Sequence, residues 1–189
     1  MKGHAGKILK LDLTNRKTDI IPTEKYEKWI GGLGMGTAVF WDEVDKDYIT
    51  DTSKISGFEP QNVICIMAGV LSGTSAPGSA RTDVCGIGPE GYPRRQFLHS
   101  NFGGTFSPML KFAGYDGIVI EGKADKPVWV DIRDENVQIK DAGHLWGVGF
   151  FETQEKIWGE VAGKKQYGDW IDGTTQRSAI VGIGQSGES

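Results

Sequence analysis

Glycine stands at 28 of the 189 positions of this chain, about twice the roughly 7% of an average protein. So many glycines imply many tight turns and close backbone approaches, which suits a binding surface built from loops. Between them the apolar residues fall into short runs. Leu9, Leu11 and Leu13 alternate with Lys10 and Asp12, the pattern of a half-buried strand. Residues 14–16 read as a turn and residues 18–21 as the hairpin partner. Pro22 and Thr23 open a short helix through Trp29, with Thr23 as its expected N-cap.

Residues 31–36, GGLGMG, are read as a helix C-cap and tight turn before a second helix over about residues 37–44. They contain no GxGxxG and follow a helix, whereas the dinucleotide fingerprint follows a strand. A polar stretch over residues 45–62 is expected to be exposed. Residues 63–68 form a continuous apolar strand, 69–80 a small-residue loop, and 81–88 the next strand. A Gly/Pro-rich loop then leads to a polar turn, Asn101-Phe102-Gly103-Gly104. A helix over 104–113 carries Phe106, Met109, Leu110 and Ala113 at core spacing, with Pro108 tolerable in a first turn. Residues 117–121 read as a strand, 128–132 and 137–139 as a hairpin, and 178–183 as a last strand. Between them a helix shows one face of Phe150, Gln154, Ile157, Trp158 and Val161. There is no repeat and no internal linker. The fold class predicted is α+β, a single strand-rich domain over residues 1–189 with several short helices. The chain stops after a strand and a Gly-rich turn, IGQSGES, which reads as an interrupted fold, either a shortened chain or one subunit of a split protein.

Composition narrows the function. With 38% hydrophobic and 24% charged residues the chain is globular, not disordered. A net charge of −4 with no basic stripe argues against nucleic acid. No apolar run approaches the roughly 20 residues of a membrane span, and the amino terminus lacks the apolar core of a signal peptide. Cys65 and Cys85 lie in apolar runs without CxxC spacing. They read as buried thiols of a reduced, cytoplasmic protein, and two cysteines cannot by themselves supply an iron–sulfur cluster.

Two segments carry ligand chemistry. The loop 69–80 offers backbone N–H groups and hydroxyls beside Arg81, a permanently charged planar fork, a combination equally at home on a phosphate or in an ordinary loop with a surface ion pair. The turn from Asn101 to Gly104 precedes a helix and could serve an anion or simply cap that helix. Arg94 and Arg95 read as solvated loop charges. His4 is expected to be disordered, His99 stands two residues from Asn101, and His144 reads as structural; three scattered histidines make no metal site.

Taken in order, GVLSGTSAPGSARTDV, SNFGG, LKFAGYDGIVIEGKADKPVWVDI, DAGHLWG and IGQSGES resemble the amino-terminal domain of the aldehyde:ferredoxin oxidoreductase family, and GKILKLDLT and WIGGLGMG fit the same domain. The resemblance spans about residues 6–189 and implies a sheet-rich base for a tungsten (or molybdenum) bis-pyranopterin cofactor beside a 4Fe–4S cluster. It places Arg81 between pterin and cluster, and Asn101, Gly103 and Gly104 in the pterin-binding turn. Asn101 would also serve a magnesium ion bridging the pterin phosphates. The cluster cysteines and acid/base residues of that family lie in later domains, so this chain would hold no catalytic residue. The implied activity is oxidation of an aldehyde to a carboxylic acid. Its implied partners are ferredoxin or another iron–sulfur carrier and the remaining catalytic domains or a larger subunit, in a homo- or hetero-oligomer. An aromatic (benzoyl-CoA-type) acyl-CoA reductase and a non-catalytic cofactor-binding or assembly subunit are the alternatives.

Overall fold

The computed structural model describes residues 3–50, 56–89, 95–162 and 178–188. Strands β1 (Lys7–Asp12) and β2 (Lys17–Pro22) form the expected hairpin. A 3-10 helix, Thr23–Trp29, follows, then α1 (Gly32–Glu43), a single turn α2 (Lys46–Thr50), β3 (Val63–Ala68) and β4 (Thr82–Ile87). Next come β5 (Phe97–Phe102), α3 (Phe106–Phe112), β6 (Gly117–Glu121), the hairpin β7 (Val128–Arg133) and β8 (Asn136–Asp141), and α4 (Phe150–Ala162). The α+β class expected from the sequence is observed.

Six strands form one sheet in the order β2-β1-β6-β3-β4-β5, with β1 and β6 parallel and the other pairs antiparallel. Helix α1 packs over β3 and β4. Its Met35, Val39 and Phe40 meet Ile8, Val63, Cys65, Met67, Cys85, Ile87 and Val119 in the main core. Leu9, Leu11 and Ile118 are buried on the opposite face of the sheet, as strand alternation requires. The chain divides into two compact units, Met1–Asp125 with Asp131–Gln138, and Lys126–Val130 with Ile139–Ser189. The divisions fall just before β7, within β7 and within β8. The second unit has its own small core of Ala142, Leu145 and Ile157 with Trp129, Val161 and Ile180.

Several expectations are corrected. The glycines of residues 31–36 do not end a helix; Gly31 precedes α1 and the rest lie in its first turns. The turn belongs to Ile30, whose φ of 69° is unusual for a β-branched residue. The low helix propensity of these glycines is outweighed by packing: a Cβ on Gly36 would lie 2.9 Å from the Cys85 sulfur. Thr23 caps no helix; its hydroxyl donates to Asp116 at 2.7 Å. The stretch 45–62 is not wholly exposed, because Asn62 is buried, its side chain bonded to the carbonyls of Gly57 and Ile87 and to the Ile87 N–H. Residues 97–102 form an edge strand, so Asn101 belongs to β5 and not to a turn. Residues 178–183 form no strand. His4 is ordered, with a 3% exposed side chain whose Nε2 pairs with the Ile30 carbonyl at 2.6 Å. Residues 90–94, including Arg94, lie outside the described residues.

Candidate cofactor-binding site

The β4–β5 ladder sets Asp83 opposite Asn101 and Thr82 opposite Phe102. Arg81, one residue before β4, therefore reaches the end of β5, and its Nη1 donates to Asn101 Oδ1 at 2.6 Å. Both residues are exposed. The first two predicted site residues are thus joined, the guanidinium held by the amide through one of its five N–H donors.

Gly103 and Gly104 follow Asn101 directly. Gly104 has a φ of +103°, which explains glycine there by backbone alone. Gly103 has no such reason: a Cβ would meet only the Ala80 carbonyl, at 3.9 Å. The fold leaves open space above Gly103, beside the Arg81–Asn101 pair, which a side chain would fill. An open backbone shelf next to an oriented cation fits a large anionic ligand such as a pterin phosphate.

Of the two readings left open for the loop before Arg81, the hydroxyls of Ser72, Thr74 and Ser79 fit an ordinary self-bonded loop. Ser72 Oγ donates to the Ser79 carbonyl at 2.7 Å, Thr74 Oγ1 to Leu71 at 2.6 Å, and Ser79 Oγ lies 2.9 Å from the Leu71 carbonyl. Gly69 N–H donates to the Arg81 carbonyl at 3.0 Å, which closes the loop at its base. These short side chains satisfy the loop's own backbone, a habit of Ser and Thr in turns.

Asp83 was missed by the sequence reading. A Cβ on Gly32 would fall 2.6 Å from its Oδ2, so the carboxylate lies against the start of α1, where the helix favours negative charge. The signal available was alternation: Arg81, Asp83 and Cys85 share one face of β4. His99 is exposed and shares the β5 face of Asn101. His144 pairs with Glu160 in the second unit. Among the described residues no three His, Cys, Asp or Glu gather as a metal site, so the metal expectation at Asn101 rests on that amide alone.

The most distinctive motif, LKFAGYD, has a structural role. Asp116 is 2% exposed. It accepts from Ala5 N–H at 2.9 Å, Gly6 N–H at 2.8 Å and Thr23 Oγ1 at 2.7 Å, and it pairs with Lys111. Gly114, with φ +92°, turns the chain out of α3 toward it. One carboxylate thus ties the amino terminus, the 3-10 helix and α3 together.

Fold and site together define a strand-rich domain with a paired arginine and asparagine beside open backbone. Residues 8–189 match the family described as "Aldehyde ferredoxin oxidoreductase, N-terminal domain", and the chain belongs to that family. It is 38% identical to a tungsten-containing aldehyde ferredoxin oxidoreductase of Pyrococcus abyssi, over all of this chain and 28% of that protein. It is 31% identical to a protein of Pyrococcus furiosus named "Aliphatic sulfonate oxidoreductase, WOR-like subunit", over all of this chain and 29% of that one. A solved structure, "Active site complex BamBC of Benzoyl Coenzyme A reductase in complex with 1,5 Dienoyl-CoA", superposes with a TM-score of 0.75 at 33% identity. It covers 85% of this chain and 23% of that one. The chain therefore spans under a third of the length of the relatives it matches.

Proposed function

We propose that this chain forms one wall of a tungsten bis-pyranopterin site in an oxidoreductase of the aldehyde ferredoxin oxidoreductase family. The observation that carries the reading is the Arg81–Asn101 hydrogen bond beside the unfilled space over Gly103. When bound, such a cofactor supplies the oxygen-transfer and two-electron chemistry of aldehyde oxidation. The chain's residues bind and orient it. Arg81 neutralises anionic charge and can pass a hydrogen bond toward a neighbouring cluster. Asn101 holds the guanidinium in place and offers its carbonyl oxygen to a hard cation such as magnesium. Gly103 would leave the backbone open to the cofactor.

In this reading the reaction takes an aldehyde to a carboxylic acid. A 4Fe–4S cluster held by domains outside this chain would carry the electrons to ferredoxin or a similar carrier, in the cytoplasm. The likeness to the benzoyl-CoA reductase complex favours a second reading, in which the same wall serves an aromatic acyl-CoA reductase.

The test compares metal and pterin content in the full-length enzyme. Arg81→Ala and Gly103→Val are each expected to lower tungsten and pterin occupancy several-fold while the domain melts as before. Gly103→Val is the sharper arm, since the fold has room for a side chain there. Undiminished cofactor in both variants, with undiminished turnover, would remove these residues from the site. One tungsten and two pterins bound per chain by the 189-residue chain alone would refute the single-wall reading.

A further inference from the structure

Cys65 in β3 and Cys85 in β4 stand directly opposite each other in the antiparallel register. Both are free thiols, 0% and 3% exposed. Opposed residues of an antiparallel pair project to the same face with Cα atoms roughly 4.5 or 5.5 Å apart. Either spacing lies within the roughly 4.4–6.8 Å that a disulfide spans. The neighbouring Cys85 side chain and burial together push the Cys65 thiol above the usual thiol range. Helix α1 covers the pair. A Cβ on Gly36 would fall 2.9 Å from Cys85 Sγ and 3.8 Å from Cys65 Cβ, so glycine at that position lets the helix seal the dithiol.

The pair has a consequence for the loop above it. β3 ends at Ala68 and β4 begins at Thr82, so a bond between Cys65 and Cys85 would clamp the two strands that carry residues 69–81, with Arg81 at their end. No part of the proposed cofactor chemistry uses these thiols.

We propose that Cys65 and Cys85 are a latent cross-strand disulfide, closed by small-molecule disulfides that reach the pair when α1 lifts, and that closure staples the base of the Arg81 loop. The exchange balances in two displacements. One protein thiolate attacks the reagent, forms a mixed disulfide and releases one reagent thiol. The second protein thiol then attacks the protein sulfur of that mixed disulfide and releases the other reagent thiol. Two protein S–H bonds become one S–S bond, and two electrons and two protons leave in the two reagent thiols. The covalent step stands without the cofactor reading; only its effect on the Arg81 loop rests on it.

The folded chain is treated with bis(2-hydroxyethyl) disulfide and followed by intact mass, peptide mapping and thermal melting. The expected product is a monomer lighter by two hydrogens, with one Cys65–Cys85 cross-linked peptide. Its Tm rises by about 6–12 °C and reverts on reduction. Its rate of formation levels off at high reagent, because opening of α1 is limiting. Thiols that stay free for as long as the chain stays folded, persistent mixed disulfides, intermolecular dimers, or a cross-linked form that melts no higher would each overturn the proposal. Cys85→Ser should abolish the Tm rise, and an equal rise in that variant would also overturn it.

Discussion

Replacing Asp116 with asparagine isolates the contact on which the amino-terminal part of the fold depends. The carboxylate accepts four donors from three separate segments, and the Lys111 side chain is itself 8% exposed. Asparagine keeps the shape but removes the charge and turns one acceptor oxygen into a donor. Two backbone N–H groups then compete for one oxygen, and the Lys111 ammonium keeps only the Gly3 carbonyl as a partner. Breaking a buried ion pair from one side costs about 3–5 kcal/mol. In urea, with a slope of roughly 2–3 kcal/mol per molar for a domain of this size, the midpoint should fall by about 1–2.5 M. Adding Lys111→Met to Asp116→Asn removes the stranded charge. The double variant should therefore be more stable than the sum of the single losses by about 1.5 kcal/mol or more.

The pH dependence has a defined sign. Burial raises the Asp116 carboxyl, but Lys111, the Ala5 and Gly6 N–H groups and Thr23 together hold it below its ordinary value of 3.8. A carboxyl lowered in the folded state stabilises the protein above its unfolded value, and that contribution fades as pH falls through the folded value. The stability gap between wild type and Asp116→Asn should thus be constant from neutral pH down to about 4 and narrow below it. A loss under about 1 kcal/mol at pH 7, or a gap unchanged between pH 4 and pH 2, would refute the role given to Asp116.

Other outcomes follow from single positions. Gly86→Ala should cost about 2–3 kcal/mol in chemical denaturation, because the new methyl would sit 2.6 Å from the Val63 carbonyl, which is held in the sheet. Gly159→Ala in α4 meets nothing within 4 Å and should gain up to about 1 kcal/mol by helix propensity. Ile30→Gly relieves a φ of 69° and should raise stability by about 1 kcal/mol in the same assay.

Much of the sheet was legible because its strands carry strong local signals. The alternation around Leu9 and Leu11 and the apolar run at 63–68 find β1 and β3 without tertiary knowledge. β5 escaped because FLHSNF mixes polar and aromatic residues at an exposed edge, where one side of the ladder faces solvent and burial imposes little pattern. The start of α1 escaped for the opposite reason. Its glycines are poor helix formers, chosen because Gly34 and Gly36 pass within about a van der Waals contact of Trp29 and Cys85. The Arg81–Asn101 pairing was anticipated as a shared site, but its hydrogen bond needs the β4–β5 register, which no local pattern encodes. Asp83 could be placed on the face of Arg81 by counting, yet its approach to α1 depends on how the helix crosses the sheet.

The residues that mark the family differ from those proposed to bind the cofactor. The motif LKFAGYD is distinctive because Lys111, Gly114 and Asp116 must all be present for one buried carboxylate to gather the amino terminus and α3, and losing any member strands a buried charge or a turn. The candidate ligand contacts are chemically plainer: one arginine, one amide and an open stretch of backbone. Such groups tolerate neighbours of many kinds, so under the proposed function one such wall would serve enzymes of different substrate class. That accords with relatives named for aldehydes, for an aliphatic sulfonate and for a benzoyl-CoA derivative that match this chain at 31–38% identity. If the wall binds only cofactor, Arg81→Ala should lower occupancy by the same factor in full-length enzymes of different substrate class. Unequal losses would place Arg81 in contact with substrate instead.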